Sequence, residues 1–217
     1  CSRGFGVSAG WAANWLPGTA GAGATVVAGG DRASILPPAG AEVAAYENFG
    51  YRLRVVDSVA EVEVDLAPIA STAPFAPPRS EPGGPEATLA RALTAGSRSL
   101  HEAVSRVLAW VAGNVRYELI REAPQDARSV LARRSAYCTG FARVSVALLA
   151  ALGIEAREVA GYVVGDVPGV DRSGFHRWIE VNYPDRGWVF SDPVATHQFV
   201  PATYLRLADE RLELAPG

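Results

Sequence analysis

Tyr137-Cys138-Thr139-Gly140-Phe141-Ala142 opens a stretch in which Phe141, Val144, Leu148, Leu149 and Leu152 recur at three- and four-residue steps before Gly153. That spacing predicts a helix from Cys138 to Leu152 with one apolar face, ending at a glycine suited to a left-handed cap. Cys138 then falls in the first turn. Unpaired N–H groups and the positive end of the helix dipole favour a thiolate there, and the Cys138 N–H can point at a developing oxyanion. An ordinary thiol, with a pKa of about 8.5, is only slightly ionised at neutral pH, so a nucleophile needs such help.

Two further segments lie downstream, Phe175-His176-Arg177-Trp178-Ile179-Glu180-Val181 and Trp188-Val189-Phe190-Ser191-Asp192-Pro193. Both read as strands, near Phe175 to Asn182 and Trp188 to Ser191. A thiol, an imidazole and a carboxylate in this order suit a cysteine nucleophile. His176 would take the thiol proton and return it to the leaving group, and Asp192 would fix the imidazole tautomer and stabilise its charge. Each residue taken singly has an ordinary explanation: a small buried hydrophobe, a structural histidine, a turn before proline. Their shared context is what favours chemistry.

The pleat tests the carboxylate. His176, Trp178 and Glu180 share one strand face. If Tyr183 paired with Trp188 across a four-residue turn, Asp192 would lie on the opposite face from His176. A bulge at Gly187 or an odd loop brings it round, so an irregular hairpin is expected.

The segments just quoted, with Leu148-Leu149-Ala150-Ala151-Leu152-Gly153-Ile154-Glu155-Ala156-Arg157, Gly161-Tyr162, Gly187-Trp188-Val189 and Asp192-Pro193, resemble the transglutaminase-like superfamily of papain-type cysteine acyltransferases and proteases. The resemblance runs from about Leu100 to Pro193. It implies a papain-like α+β fold, with Cys138 as nucleophile, His176 as base and Asp192 as orienting acid. Many members carry glycine one or two positions before the nucleophile, where this chain has Ser135, Ala136 and Tyr137.

Tyr117, Gln125 and Tyr137 have groups suited to a second oxyanion donor, and each also has a structural reading. Tyr137, Trp178 and Trp188 are the candidates to line a substrate channel, although aromatics on sheet faces usually belong to the core. His101 falls in a helix-starting pattern, Ser99-Leu100-His101-Glu102. His197 could replace His176 or join a metal site, but no close-spaced ligand pair supports zinc. The mechanism requires no metal or other cofactor, and no phosphate-binding glycine loop or calcium pattern is evident.

The chain has 217 residues, 49% of them apolar, and a net charge of -3. That composition can bury a sizeable core and argues against a nucleic-acid partner. Arginine supplies every one of the 20 basic residues, and the usage reads as that of a GC-rich bacterial genome. Cys1-Ser2 followed by a Gly/Ala-rich stretch reads as a mature lipoprotein whose N-terminal cysteine anchors a tether, with a trimmed sequence as the alternative. The lipoprotein reading implies an extracytoplasmic protein, periplasmic or held at the membrane through Cys1 alone.

Residues 1–40 are accordingly expected to form a flexible arm, 41–86 a small strand region with a Pro-rich connector, and 87–217 the catalytic core. Alternation predicts strands at Tyr51–Val55 and Val59–Leu66, either extending the catalytic sheet or forming a separate lobe. Helices at Leu100–Tyr117 and Asp126–Leu131 precede the nucleophile helix, and a strand near Glu158–Val164 follows it. The segment Gly165–Gly174 is the candidate mobile loop beside His176. The expected function is acyl transfer from a peptide or glutamine-type amide of a protein substrate through a thioester, ending in hydrolysis or transfer to an amine. The alternative is an inactive binding module of the same fold at the cell surface or in the periplasm.

Overall fold

The structure, a computed structural model, describes residues 26–29, 32–67, 69–78, 83–164, 174–195 and 197–208. The anchor expected at Cys1 and all but the last residue of the loop expected at Gly165–Gly174 lie outside these residues. The fold is α+β. The central sheet has the order β10-β9-β8-β11, built from β8 (Ala156–Val163), β9 (Phe175–Tyr183), β10 (Gly187–Ser191) and β11 (Tyr204–Arg206). Every neighbouring pair in it is antiparallel.

Alternation along β9 builds three layers. Ile179, Val181 and Tyr183 join Val104, Val107 and Leu108 of α2 (Leu100–Asn114) and Val144, Leu148 and Leu149 of α4 (Cys138–Ala150) in one apolar cluster. Trp178, on the other face, joins Ile35, Tyr51, Leu53 and Val62 in a second cluster with Phe190, Tyr204 and Leu205. Those N-terminal residues come from a separate five-stranded antiparallel sheet, β1-β2-β5-β4-β3, comprising β1 (Val26–Gly29), β2 (Arg32–Ile35), β3 (Tyr46–Asn48), β4 (Tyr51–Val56) and β5 (Val59–Val64). The predicted strands therefore do not extend the catalytic sheet; they stack on it.

Several elements escaped the sequence reading, among them β1, β2, α1 and β11. Val26–Gly29 and Arg32–Ile35, within the stretch assigned by composition to the flexible arm, pair antiparallel as β1 and β2. Four-residue strands among glycines carry little periodic signal, and β2 is held by β5, where Ile35 faces Ala60 and Ala33 faces Val62. Helix α1 (Pro85–Thr94) follows the proline-rich connector, and its buried positions are only Ala87, Ala90 and Thr94, so it shows no large apolar stripe. Strand β11 is three residues long.

The predicted caps are present. Ser99 accepts from the Glu102 N–H at 3.1 Å, and Glu102 reaches back to the Arg98 N–H at 3.0 Å, so α2 starts as a reciprocal cap one residue wider than expected. Asp126 caps α3 (Ala127–Arg133) by accepting from the Ser129 N–H at 3.0 Å. A two-stranded parallel pair, β6 (Arg116–Tyr117) and β7 (Ser135–Ala136), ties the end of α2 to the approach to α4.

The β9–β10 hairpin is irregular in the expected sense. Tyr183 pairs with Gly187 and Asn182 with Trp188, leaving Pro184-Asp185-Arg186 as a three-residue loop. The Tyr183 carbonyl accepts from the Arg186 N–H at 3.1 Å, and Gly187 adopts φ 75°. This is a turn followed by a left-handed residue, a common solution for three-residue loops. Continuing the register past Ser191–Ile179 sets Asp192 across from Trp178, on the His176 side of the strand. Gly187→Val should lower stability by about 1–2 kcal/mol, because a branched side chain resists the left-handed region. Urea unfolding should show a lower midpoint at unchanged slope; an unchanged midpoint would mean that the turn does not require glycine.

Candidate active site

Cys138 is the first residue of α4, and Tyr137 before it offers no side-chain cap. The Gly140 and Phe141 N–H groups bond the Tyr137 carbonyl at 2.9 and 3.2 Å, so the N–H groups of Cys138 and Thr139 are the ones at the helix start without an intrahelical acceptor. Tyr137 has φ -100° and ψ -175°, extended backbone that any residue adopts. The left-handed turn instead falls at Arg134, with φ 59°, which ends α3. The absence of a glycine just before Cys138 therefore introduces no strain.

The thiol lies beside the imidazole. Cys138 is 2% exposed, while His176 and Asp192 are both fully buried. His176 Nε2 stands 2.7 Å from Asp192 Oδ2. Its Nδ1 is buried without a hydrogen bond among the described residues, and the Cys138 thiol acts on the same imidazole. A neutral ring that donates Nε2–H to the carboxylate keeps a lone pair on Nδ1 for the thiol proton.

Burial works against charge on the His176 ring, but the Asp192 carboxylate outweighs it, and with the thiol's help raises the imidazole from 6.5 to about 10. Burial likewise opposes ionisation of Asp192, yet the imidazolium and the donors around it hold the carboxyl below the usual carboxylate range. Those donors are the Val194 N–H at 2.8 Å to Oδ1 and the Tyr204 hydroxyl at 2.7 Å to Oδ2. Tyr204 was missed by the sequence reading. It sits on the short β11, and nothing in local spacing links it to Asp192.

The other candidates separate. Trp178 is fully buried, lies parallel to His176 at 6.2 Å between ring centroids, and packs edge-on to Tyr204 and Phe190. It is a core residue that also backs the imidazole. Trp188 pairs with Asn182, six positions along β9 from His176, and lies under the Arg157 guanidinium at 4.1 Å. The structure does not bring it to the three residues. Gln125, a candidate oxyanion donor, gives its amide N–H to the Ala123 carbonyl at 2.9 Å and turns its oxygen to the Tyr137 N–H at 3.3 Å. It holds Tyr137, the residue before Cys138. The Tyr117 ring packs beside Phe141 at 6.1 Å. His101 stays in the first turn of α2. Burial pushes the His197 imidazole down against the pull of Asp192, whose hydrogen bond goes to His176 instead.

Residues 87–193 match the transglutaminase-like superfamily. The chain carries a transglutaminase-like domain. It is 38% identical over 74 residues to a protein-glutamine gamma-glutamyltransferase of Pseudomonas aeruginosa, covering 31% of this chain and 11% of that protein. It is also 36% identical over 67 residues to the Bacillus subtilis protein YebA, covering 26% and 9%. The matched segment thus spans about a tenth of either relative's length. Among solved structures, the periplasmic domain of TgpA from Pseudomonas aeruginosa aligns with a TM-score of 0.48 and 20% identity, covering 75% of this chain and 68% of that one. No helix among the described residues is long and apolar enough to cross a membrane.

The transglutaminase-like domain needs Gly140 at the third position of α4. A Cβ there would come within 2.5 Å of both the Ala136 Cβ and the Gln125 Oε1. Gly140→Ala should cost about 1–3 kcal/mol despite the gain in helix propensity, because Gln125 and β7 must shift. A thermal scan showing equal or higher stability would contradict this packing. The buried ion pair also predicts a pH dependence. His176 gains a proton affinity on folding, so its stabilising contribution is complete below about 6.5 and fades as pH rises towards about 10. Asp192, with its pKa lowered, contributes above the ordinary carboxyl range and loses that contribution as pH falls through its folded value. Stability should therefore decline between pH 6.5 and 10 in the wild type, and His176→Ala should flatten that slope.

Proposed function

We propose that this protein is a cysteine-dependent acyl-transfer enzyme in which Cys138 Sγ attacks an amide carbonyl. The observation that carries this reading is the thiol at a helix N-terminus beside an imidazole whose other nitrogen is held 2.7 Å from a buried carboxylate. Because the imidazole stays protonated up to about 10, the thiol proton already rests on His176, and the C–S bond forms by attack of the thiolate. The proton passes to the amine as the C–N bond breaks, leaving a thioester. Water, or a second amine, then gives a proton to His176 and adds to the thioester carbonyl, and the thiol departs. The Cys138 and Thr139 N–H groups at the start of α4 are suited to receive the oxyanion. Full burial of His176 and Asp192 supports the reading, because the low dielectric strengthens their pairing and keeps competing water away.

A relative named as a protein-glutamine gamma-glutamyltransferase supports a glutamine side-chain amide in a protein or peptide as donor. Hydrolysis and transfer differ only in the second nucleophile. The first test is the alkylation of Cys138 by iodoacetamide against pH, followed by intact mass spectrometry, in wild type and His176→Ala. The wild type should label at least tenfold faster at pH 7. Equal rates in both, rising only above about pH 8.5 as for a free thiol, would reject the catalytic reading in favour of a binding module. Ammonia release from a glutaminyl peptide, with and without an alkylamine, then distinguishes hydrolysis from transfer.

A further inference from the structure

We infer that Tyr204 is a positioning residue of this site, whose hydroxyl holds Asp192 and limits how much of the carboxylate charge reaches His176. The inference rests on the proposed role of Cys138, His176 and Asp192. It concerns a residue beyond the span 87–193 that matches the family.

Three observations carry it. The Tyr204 hydroxyl donates at 2.7 Å to Oδ2 of Asp192, the oxygen that also faces His176 Nε2. The two donors share one oxygen, so charge drawn to the phenol is withdrawn from the imidazole. The Tyr204 ring stands edge-on to His176, with centroids 5.8 Å apart and planes at 83°, and edge-on to Trp178 at 5.3 Å. It therefore walls the imidazole as well as its acid. Finally, the Tyr204 carbonyl accepts from the Tyr51 hydroxyl at 2.9 Å. Tyr51 belongs to β4, so the N-terminal sheet braces the strand that braces the acid.

The titratable groups facing the pair come from every neighbouring element: Cys138 at the start of α4, Tyr204 on β11 and His197 after β10. Of these, only Tyr204 donates to the oxygen shared with His176. Tyr51 lies one hydrogen bond further away and makes none to Asp192 among the described residues.

Tyr204→Phe keeps the ring and removes the donor. In the full chain, with 15N-labelled histidine, the His176 titration should move up by half a unit or more. The alkaline limb of Cys138 alkylation should move with it, and turnover should fall about tenfold with KM within twofold. Tyr51→Phe is the control. It removes a hydrogen bond of the same strand, so it should lower the melting temperature and leave the His176 titration in place. An unmoved titration in Tyr204→Phe, or an equal shift in both variants, overturns the inference. Loss of the difference between wild type and His176→Ala in alkylation overturns the catalytic reading instead, and the NMR titration still decides the role of Tyr204.

Discussion

A fully buried carboxylate organises this molecule. Leaving the ionised Asp192 unpaired in a protein interior would cost many kcal/mol, so the fold must supply donors on every side. It does so from three places: the imidazole of β9, the hydroxyl of β11 and the backbone just after β10. The chain returns past the central sheet to deliver Tyr204, and the N-terminal sheet closes over the result. The charge that makes His176 a strong proton acceptor is thus available because several elements meet at one carboxylate.

The same logic recurs at the other end of β9. Glu180 is fully buried two pleats from Trp178 and accepts from Arg157 at 2.7 and 2.9 Å. Tyr46 and Asn48 of β3 donate to its other oxygen. Burial first, and then the Glu180 carboxylate, raise the Tyr46 phenol to about 12, so it stays a donor throughout the physiological range. The interface between the two sheets therefore combines an apolar centre around Trp178 and Phe190 with two satisfied carboxylates, Glu180 on β9 and Asp192 just after β10. Such satisfied groups specify one stacking arrangement, since a shifted sheet would leave a charge buried without partners.

Alternation and helical spacing made most of the matched domain legible. Ser99, Asp126 and Cys138 start helices where the sequence places them, and β8, β9 and β10 fall within two residues of their expected limits. The need to bring Asp192 to the His176 face was visible as a parity argument, and the three-residue loop meets it. What stayed hidden was short or far away. β2 and β11 are too brief to show a period, α1 buries mainly alanine, and Gln125 and Trp188 had side chains suited to a site but partners elsewhere.

By itself the sequence determined the kinds of groups available and their local placement: a cysteine opening a helix, a histidine and an acidic residue near strand ends, and an apolar pattern for one α+β core. Those properties depend on neighbours within a turn or a pleat, so they can be read from spacing alone. Only the tertiary structure decided which side chains converge. The bond from Tyr204 to Asp192, the brace from Tyr51 and the stacking of the N-terminal sheet all join residues whose contact depends on how the sheets pack. A hydrogen bond is directional over about 3 Å, and no local periodicity carries that information across such separations.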